Sequence, residues 1–211
     1  MGASETVARV LETRIVAVVR APSADRVVDI CRALADGGVT VLEITFTVPK
    51  ALDLIRQVHD ELGDRITLGA GTVLDPETCR AAILAGAEFI VSPTLNLDLI
   101  RLCKRYDKAV MPGAFTPTEI LTAWEAGADI VKVFPADVGG PDYFKAIRGP
   151  LPQIRLMPTG GVNLDTARKF LDAGAVALGA GSSLVTKSAI ANGNMQEITE
   201  NARKFIAVAA D

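Results

Sequence analysis

Short apolar runs alternate with longer amphipathic stretches along the whole chain. Eight of the runs read as strands: "IVAVVR" (15–20), "VLEITF" (41–46), "TLGAGTV" (67–73), "FIVSP" (89–93), "AVMPGAF" (109–115), "IVKVFP" (130–135), "RLMPTGGV" (155–162) and "AVALGAGS" (175–182). They are rich in Val, Ile and Leu and mostly lack polar alternation, as strands buried on both faces should be. The stretches between them, such as "SADRVVDICRALADGG" and "TPTEILTAWEAGA", carry apolar residues at a 3.6 period after a Ser or Thr N-cap and finish on glycine. Four junctions repeat the order helix end, small turn, strand; their glycines at 38, 86, 127 and 174 are spaced by 48, 41 and 47, each gap holding two strand–helix units. The pattern predicts an α/β protein, a closed (β/α)8 barrel of the TIM type, as a single domain over 1–211, with an extra N-terminal helix (about 3–13) covering one end. An open doubly wound sheet is the alternative, but the early strand–helix junctions carry no GxGxxG fingerprint.

Composition narrows the function classes. The chain has 211 residues, 49% hydrophobic and 22% charged, which suffices for one sizeable core. A net charge of −3, only 5% aromatic residues and no Lys/Arg run argue against a nucleic-acid partner. Cys31, Cys79 and Cys103 lie far apart and form no CxxC pair, which fits a reduced, cytoplasmic setting. The single histidine, His59, cannot build a multi-histidine metal site, and "LIRQVHDEL" puts it on a solvated helix face. No run approaches transmembrane length, so no membrane partner is expected.

In a barrel of this kind the chemistry lies at the C-terminal ends of the strands. The residues there are Arg20 after the first strand, Glu43, Thr45 and Thr47 on the second, and Thr72 after the third; Ser92 and Pro93 close the fourth. Lys132 lies on the sixth, Thr159 follows the seventh, and Ser182 and Ser183 follow the eighth. Lys132 and Glu43 interrupt apolar strands, and burying a lone charge is costly, so each should be neutral, paired or used. One reading is a structural Lys–Glu pair inside the barrel. The other is a desolvated, partly neutral amine able to attack a ketone, with a carboxylate to move protons.

Two glycine-rich loops, "PTGGV" (158–162) and "GAGSSL" (179–184), follow the seventh and eighth strands. Bare backbone amides there can cradle a phosphate, although tight turns alone also call for glycine. In "GAGTV" (69–73), Gly71 allows close approach of a ligand and Thr72 offers a hydroxyl, while a turn packed on the core is the plainer reading. Pro93 either lines a pocket or ends a strand, and Phe134 either packs on substrate carbons or fills the core.

Taken together and in order, "VLEITFTVP", "GAGTV", "FIVSP", "MPGAFTPTE", "VKVFPA" and "PTGGV" resemble the 2-dehydro-3-deoxy-6-phosphogluconate (KDPG) aldolases, which often also act as 4-hydroxy-2-oxoglutarate aldolases. The similarity runs over nearly the whole chain, from "IVAVVR" to "GSSLV". It implies a class I aldolase on a (β/α)8 barrel, homotrimeric, with no metal or other cofactor and a phosphorylated 2-keto-3-deoxy sugar acid as substrate. Carried over, Lys132 matches the Schiff-base lysine, Glu43 the general acid/base, Thr72 and Pro93 the pyruvate-side pocket, and Phe134 the aromatic flanking the lysine. Thr159, Gly160, Gly161 and Ser182, with Gly181 in the same loop, match the groups that orient the substrate and bind its phosphate. One departure matters: some members carry arginine, which holds the pyruvate carboxylate, where Thr47 stands here. Arg20, at the adjacent strand end, is the cation expected to take that role. The galactonate-series aldolases are the nearest rival, and Thr159 in place of their usual Val favours the gluconate series. A phosphosugar isomerase or epimerase on the same barrel is the rival from another class, and it would need no imine.

Overall fold

The computed structural model describes residues 1–210. Its elements run α1 (Ala3–Thr13), β1 (Ile15–Val19), α2 (Val27–Asp36), β2 (Val41–Thr45), α3 (Ala51–Leu62), β3 (Thr67–Gly71) and α4 (Pro76–Leu84). There follow β4 (Phe89–Val91), α5 (Leu97–Arg105), β5 (Ala109–Met111), β6 (Gly113–Ala114), α6 (Pro117–Glu125), β7 (Val131–Val133) and α7 (Gly140–Arg148). The chain ends with β8 (Leu156–Pro158), α8 (Leu164–Asp172), β9 (Leu178–Ala180), α9 (Lys187–Asn192) and α10 (Met195–Ala210).

Local sequence explains where the helices start and stop. Thr116 and Glu119 close a reciprocal capping box ahead of Pro117, and Asp75 accepts from Thr78 N ahead of Pro76. At α2 the cap is not Ser23. A turn in which Val27 N donates to Ala24 O precedes the helix, and Arg26 takes the cap position with no side-chain bond. The repeated glycines share one role: Gly38, Gly86, Gly127 and Gly174 have φ of 93°, 110°, 100° and 93°. In each case the following residue donates to the carbonyl five back: Val39 to Leu34, Ala87 to Ala82, Ala128 to Ala123, Ala175 to Phe170. That left-handed stop turns the chain from helix into strand four times over.

The strands are parallel and curl in the manner of a barrel, but not the closed one expected: the ladder runs as two arcs, β5-β4-β3-β2-β1-β9 and β6-β7-β8. At one seam β5 and β6 are halves of the single strand expected over 109–115, split at Pro112, which has no N–H to give a ladder. The Pro112 carbonyl still accepts from Lys132 N at 2.9 Å. At the other seam an isolated parallel bridge joins Thr159 to Gly179, and Val176 N donates to Leu156 O at 3.0 Å. The strands also stop short of their apolar runs. Thr47 lies in a turn after β2, where Val48 N donates to Thr45 O at 2.9 Å, and Ser92 and Pro93 lie beyond β4.

Side chains alternate between two cores, as a strand period of two requires. Leu42, Ile44, Val131 and Val133 face out to the helices. Val16, Val41, Phe89, Met111 and Met157 face in, where α1 closes the barrel with Ala3, Val7 and Val10. The same parity turns Glu43 and Lys132 inward, above that apolar floor. Among the helices, Cys79 Sγ and Cys103 Sγ meet at 3.4 Å as free, buried thiols, a contact their sequence separation hid. His59 is exposed, as read from its helix pattern. Between β9 and α10 lies the short helix α9, capped by Thr186. No helix among the described residues is long and apolar enough to cross a membrane.

Candidate active site

Glu43 is 1% exposed, paired in register with Val18 on β1 and Gly69 on β3. Its carboxylate lies against Gly71, the next inward position of β3, and Oε2 is buried with no hydrogen-bond partner. Burial raises its pKa, and the charges of Lys132 and Arg20 pull it part of the way back. Lys132 is 6% exposed, between Gly113 and Met157 in the β6-β7-β8 arc. Its Nζ lies 5.1 Å from the centroid of the Phe134 ring. No ion pair within 4.0 Å joins it to Glu43. Burial lowers the lysine pKa, Arg20 lowers it further, and Glu43 opposes both. The two groups therefore sense each other's charge without neutralising it in direct contact. The amine is pushed toward its neutral, nucleophilic form and the carboxyl toward its protonated form.

The polar rim around them is specific in its proton directions. Thr45 Oγ1 donates to Val19 O at 3.3 Å, so Thr47 is the donor in the 2.8 Å bond between the two threonines. A hydroxyl has one proton; Thr47 spends its proton inward and turns only lone pairs outward. Thr72 holds a left-handed backbone, φ 58°, which a β-branched residue seldom adopts. Pro93 is fixed by close approach: a Cβ on Gly113 would stand 2.3 Å from the Pro93 carbonyl carbon and oxygen.

A cavity of about 650 Å³ opens at this end of the barrel. It gathers Arg20, Thr47, Phe134, Thr159, Gly160, Gly161, Gly181 and Ser182 in one wall. Lys132, Glu43, Thr72 and Pro93 do not line it; Phe134, in the wall and beside the lysine amine, connects the two regions. The glycine loops are tied together by Ser183 Oγ, which donates to Val162 O at 2.6 Å. The amides of Gly160, Gly161 and Ser182 have no protein acceptor among the described residues. Thr159 Oγ1 is also buried and unpartnered, although it lines the cavity.

A family model described as KDPG and KHG aldolase matches residues 7–201. The chain belongs to the KDPG and KHG aldolase family. It is therefore a lyase of the aldolase type. The 2-dehydro-3-deoxy-phosphogluconate aldolase of Pseudomonas aeruginosa is 36% identical over 196 residues, covering 92% of this chain and 89% of that one. The 2-dehydro-3-deoxy-6-phosphogalactonate aldolase of Escherichia coli is equally similar, 36% over 171 residues, covering 81% and 83%. A KDPG aldolase from Legionella pneumophila, captured with pyruvate as a covalent carbinolamine, superposes with a TM-score of 0.87 at 30% identity, covering 94% of this chain and 96% of that one. Within this aldolase, sequence reading overlooked Lys187, which lines the cavity from the start of α9. Thr186 followed by a helix-forming stretch was the available signal.

Proposed function

We propose that this chain is a class I aldolase that cleaves KDPG to pyruvate and D-glyceraldehyde 3-phosphate, and also 4-hydroxy-2-oxoglutarate to pyruvate and glyoxylate. The observation that carries this reading is the buried Lys132 amine, held without an ion pair near a buried Glu43 carboxyl that has an unpartnered oxygen. The Legionella carbinolamine supports the same chemistry. Lys132 attacks the C2 ketone, and loss of water leaves a protonated imine. Glu43 takes the C4 hydroxyl proton. The C3–C4 bond breaks, its electrons pass to the imine, and the aldehyde leaves. Glu43 returns the proton to C3 of the enamine, and water frees pyruvate and the amine.

The remaining residues divide by position. Arg20, whose charge reaches both reacting groups, takes the pyruvate carboxylate, because Thr47 presents lone pairs to it. Thr72, Pro93 and Phe134 enclose the pyruvate half. The unpaired amides of Gly160, Gly161 and Ser182 cradle the phosphate, with Gly181 giving them room. The unpartnered Thr159 hydroxyl supports the gluconate series, since it is free to bond a C4 or C5 oxygen of one epimer. The working assembly is a homotrimer. Borohydride reduction in the presence of pyruvate, followed by peptide mass spectrometry, tests the mechanism: an adduct on Lys132 is expected, and its absence ends the class I reading.

A further inference from the structure

The wall of the cavity holds two cations, Arg20 and Lys187, and no carboxylate. Lys187 has no ion pair or side-chain hydrogen bond among the described residues, although Glu197 lies near enough to accept from Thr186 Oγ1 at 2.6 Å. The backbone that carries it is firmly held. Gly181 O accepts from both Leu184 N and Val185 N at 2.9 Å, and Thr186 Oγ1 accepts from Ala189 N at 3.1 Å. Ser182 and Lys187 thus flank one compact turn, and the Ser183–Val162 bond joins that turn to the Gly160–Gly161 loop. An unpaired ammonium that lines the same cavity as unpaired amides, with no acid in the lining although Asp137 packs against the Gly160–Gly161 loop, calls for an anion.

We propose that Lys187 is a specificity-determining cation for the distal phosphate, so that anion recognition is divided between Arg20 at the reacting end of the substrate and Lys187 at the far end. The division rests on the aldolase reading above. It is supported by electrostatic reach, because Arg20 acts on both Lys132 and Glu43 whereas Lys187 acts on neither. Neutral amides alone match the shape of a phosphate but not its charge near pH 7. An ammonium is a point charge with rotatable donors, suited to a tetrahedral anion, and charge-assisted hydrogen bonds are the stronger kind. Lys187 is exposed, so its replacement leaves the core intact.

The test uses the full chain, Lys187→Met and Lys187→Arg, with KDPG, its unphosphorylated counterpart 2-dehydro-3-deoxygluconate, and inorganic phosphate as inhibitor. For Lys187→Met, the ratio of kcat/KM for the phosphorylated over the unphosphorylated acid falls about tenfold, carried by KM, and the phosphate inhibition constant rises by a similar factor. Lys187→Arg restores most of both. A ratio within about twofold of wild type, or an equal loss on both acids, overturns the role of Lys187 while leaving the aldolase reading in place. Wild-type enzyme that shows no preference for the phosphorylated acid overturns both the role of Lys187 and the choice of KDPG as substrate, while the borohydride adduct on Lys132 tests the aldolase chemistry separately.

Discussion

A Cβ on Gly71 would stand 2.7 Å from the Glu43 carboxyl carbon and 2.9 Å from each of its oxygens. The glycine keeps ordinary strand backbone inside β3, so what it supplies is space for the acid rather than an unusual turn. Gly71→Ala therefore displaces the carboxylate without straining the chain. It lowers kcat on KDPG by about a hundredfold, within the range for losing a positioned acid/base, while circular dichroism stays native. Wild-type kcat in this variant would show that the Glu43 carboxylate has no positional role.

Lys132→Met separates chemistry from stability. Turnover and the pyruvate adduct disappear. The thermal midpoint rises by about 2–4 °C, because a buried group that favours its uncharged form is replaced by an apolar chain of similar volume. A lower midpoint than wild type contradicts the claim that the lysine is a burden on the fold.

The same lysine imposes a pH dependence with a defined sign. Its folded-state pKa lies below the ordinary 10.5, so between those two values the unfolded chain binds the extra proton and stability rises with pH. Glu43 acts in the opposite sense: its folded pKa lies above the ordinary 4.5, and stability falls as pH rises from 4.5 through the folded value. Urea midpoints of wild type and Lys132→Met, compared along the alkaline side, converge as pH approaches 10.5. A gap that stays constant with pH contradicts the lowered pKa.

Arg20→Ala reaches two observables at once. KM for pyruvate-containing substrates rises about tenfold with loss of the carboxylate partner. The alkaline-rising limb of the rate profile moves to higher pH, since the guanidinium lowers the Lys132 pKa. An unchanged KM removes Arg20 from carboxylate binding.

Thr159→Val removes a buried hydroxyl that has no partner. Stability holds or improves by about 1 kcal/mol, and the preference for the gluconate over the galactonate epimer shrinks. Equal turnover of the two epimers by the wild-type enzyme removes the argument from this hydroxyl.

Much of this molecule is legible in its sequence. The 3.6-period helices, the glycine stops and α1 over Ala3–Thr13 follow from local patterns, and those patterns act within a few residues. Glu43 and Lys132 were visible because a charge inside an apolar strand violates a local rule. What stayed hidden depends on contacts between distant segments. Pro112 breaks its strand for a local reason, but that β5 then pairs with β4 and β6 with β7 depends on distant segments. The Cys79–Cys103 contact joins two helices, and the direction of the Thr47 proton is set by the carbonyl of Val19 on another strand. Lys187 was missed because its place in the wall depends on how α9 folds back over the strand ends.

Desolvation is the leading reason that the Lys132 pKa falls, and desolvation belongs to no single neighbour. The inward floor of Val16, Val41, Phe89 and Met157, sealed by α1, keeps water out from below. The reactivity of one nitrogen is thus distributed over the watertightness of the barrel. Directed evolution for a faster or more alkaline-tolerant catalyst can therefore work from the closed end of the barrel, through residues that never meet the substrate.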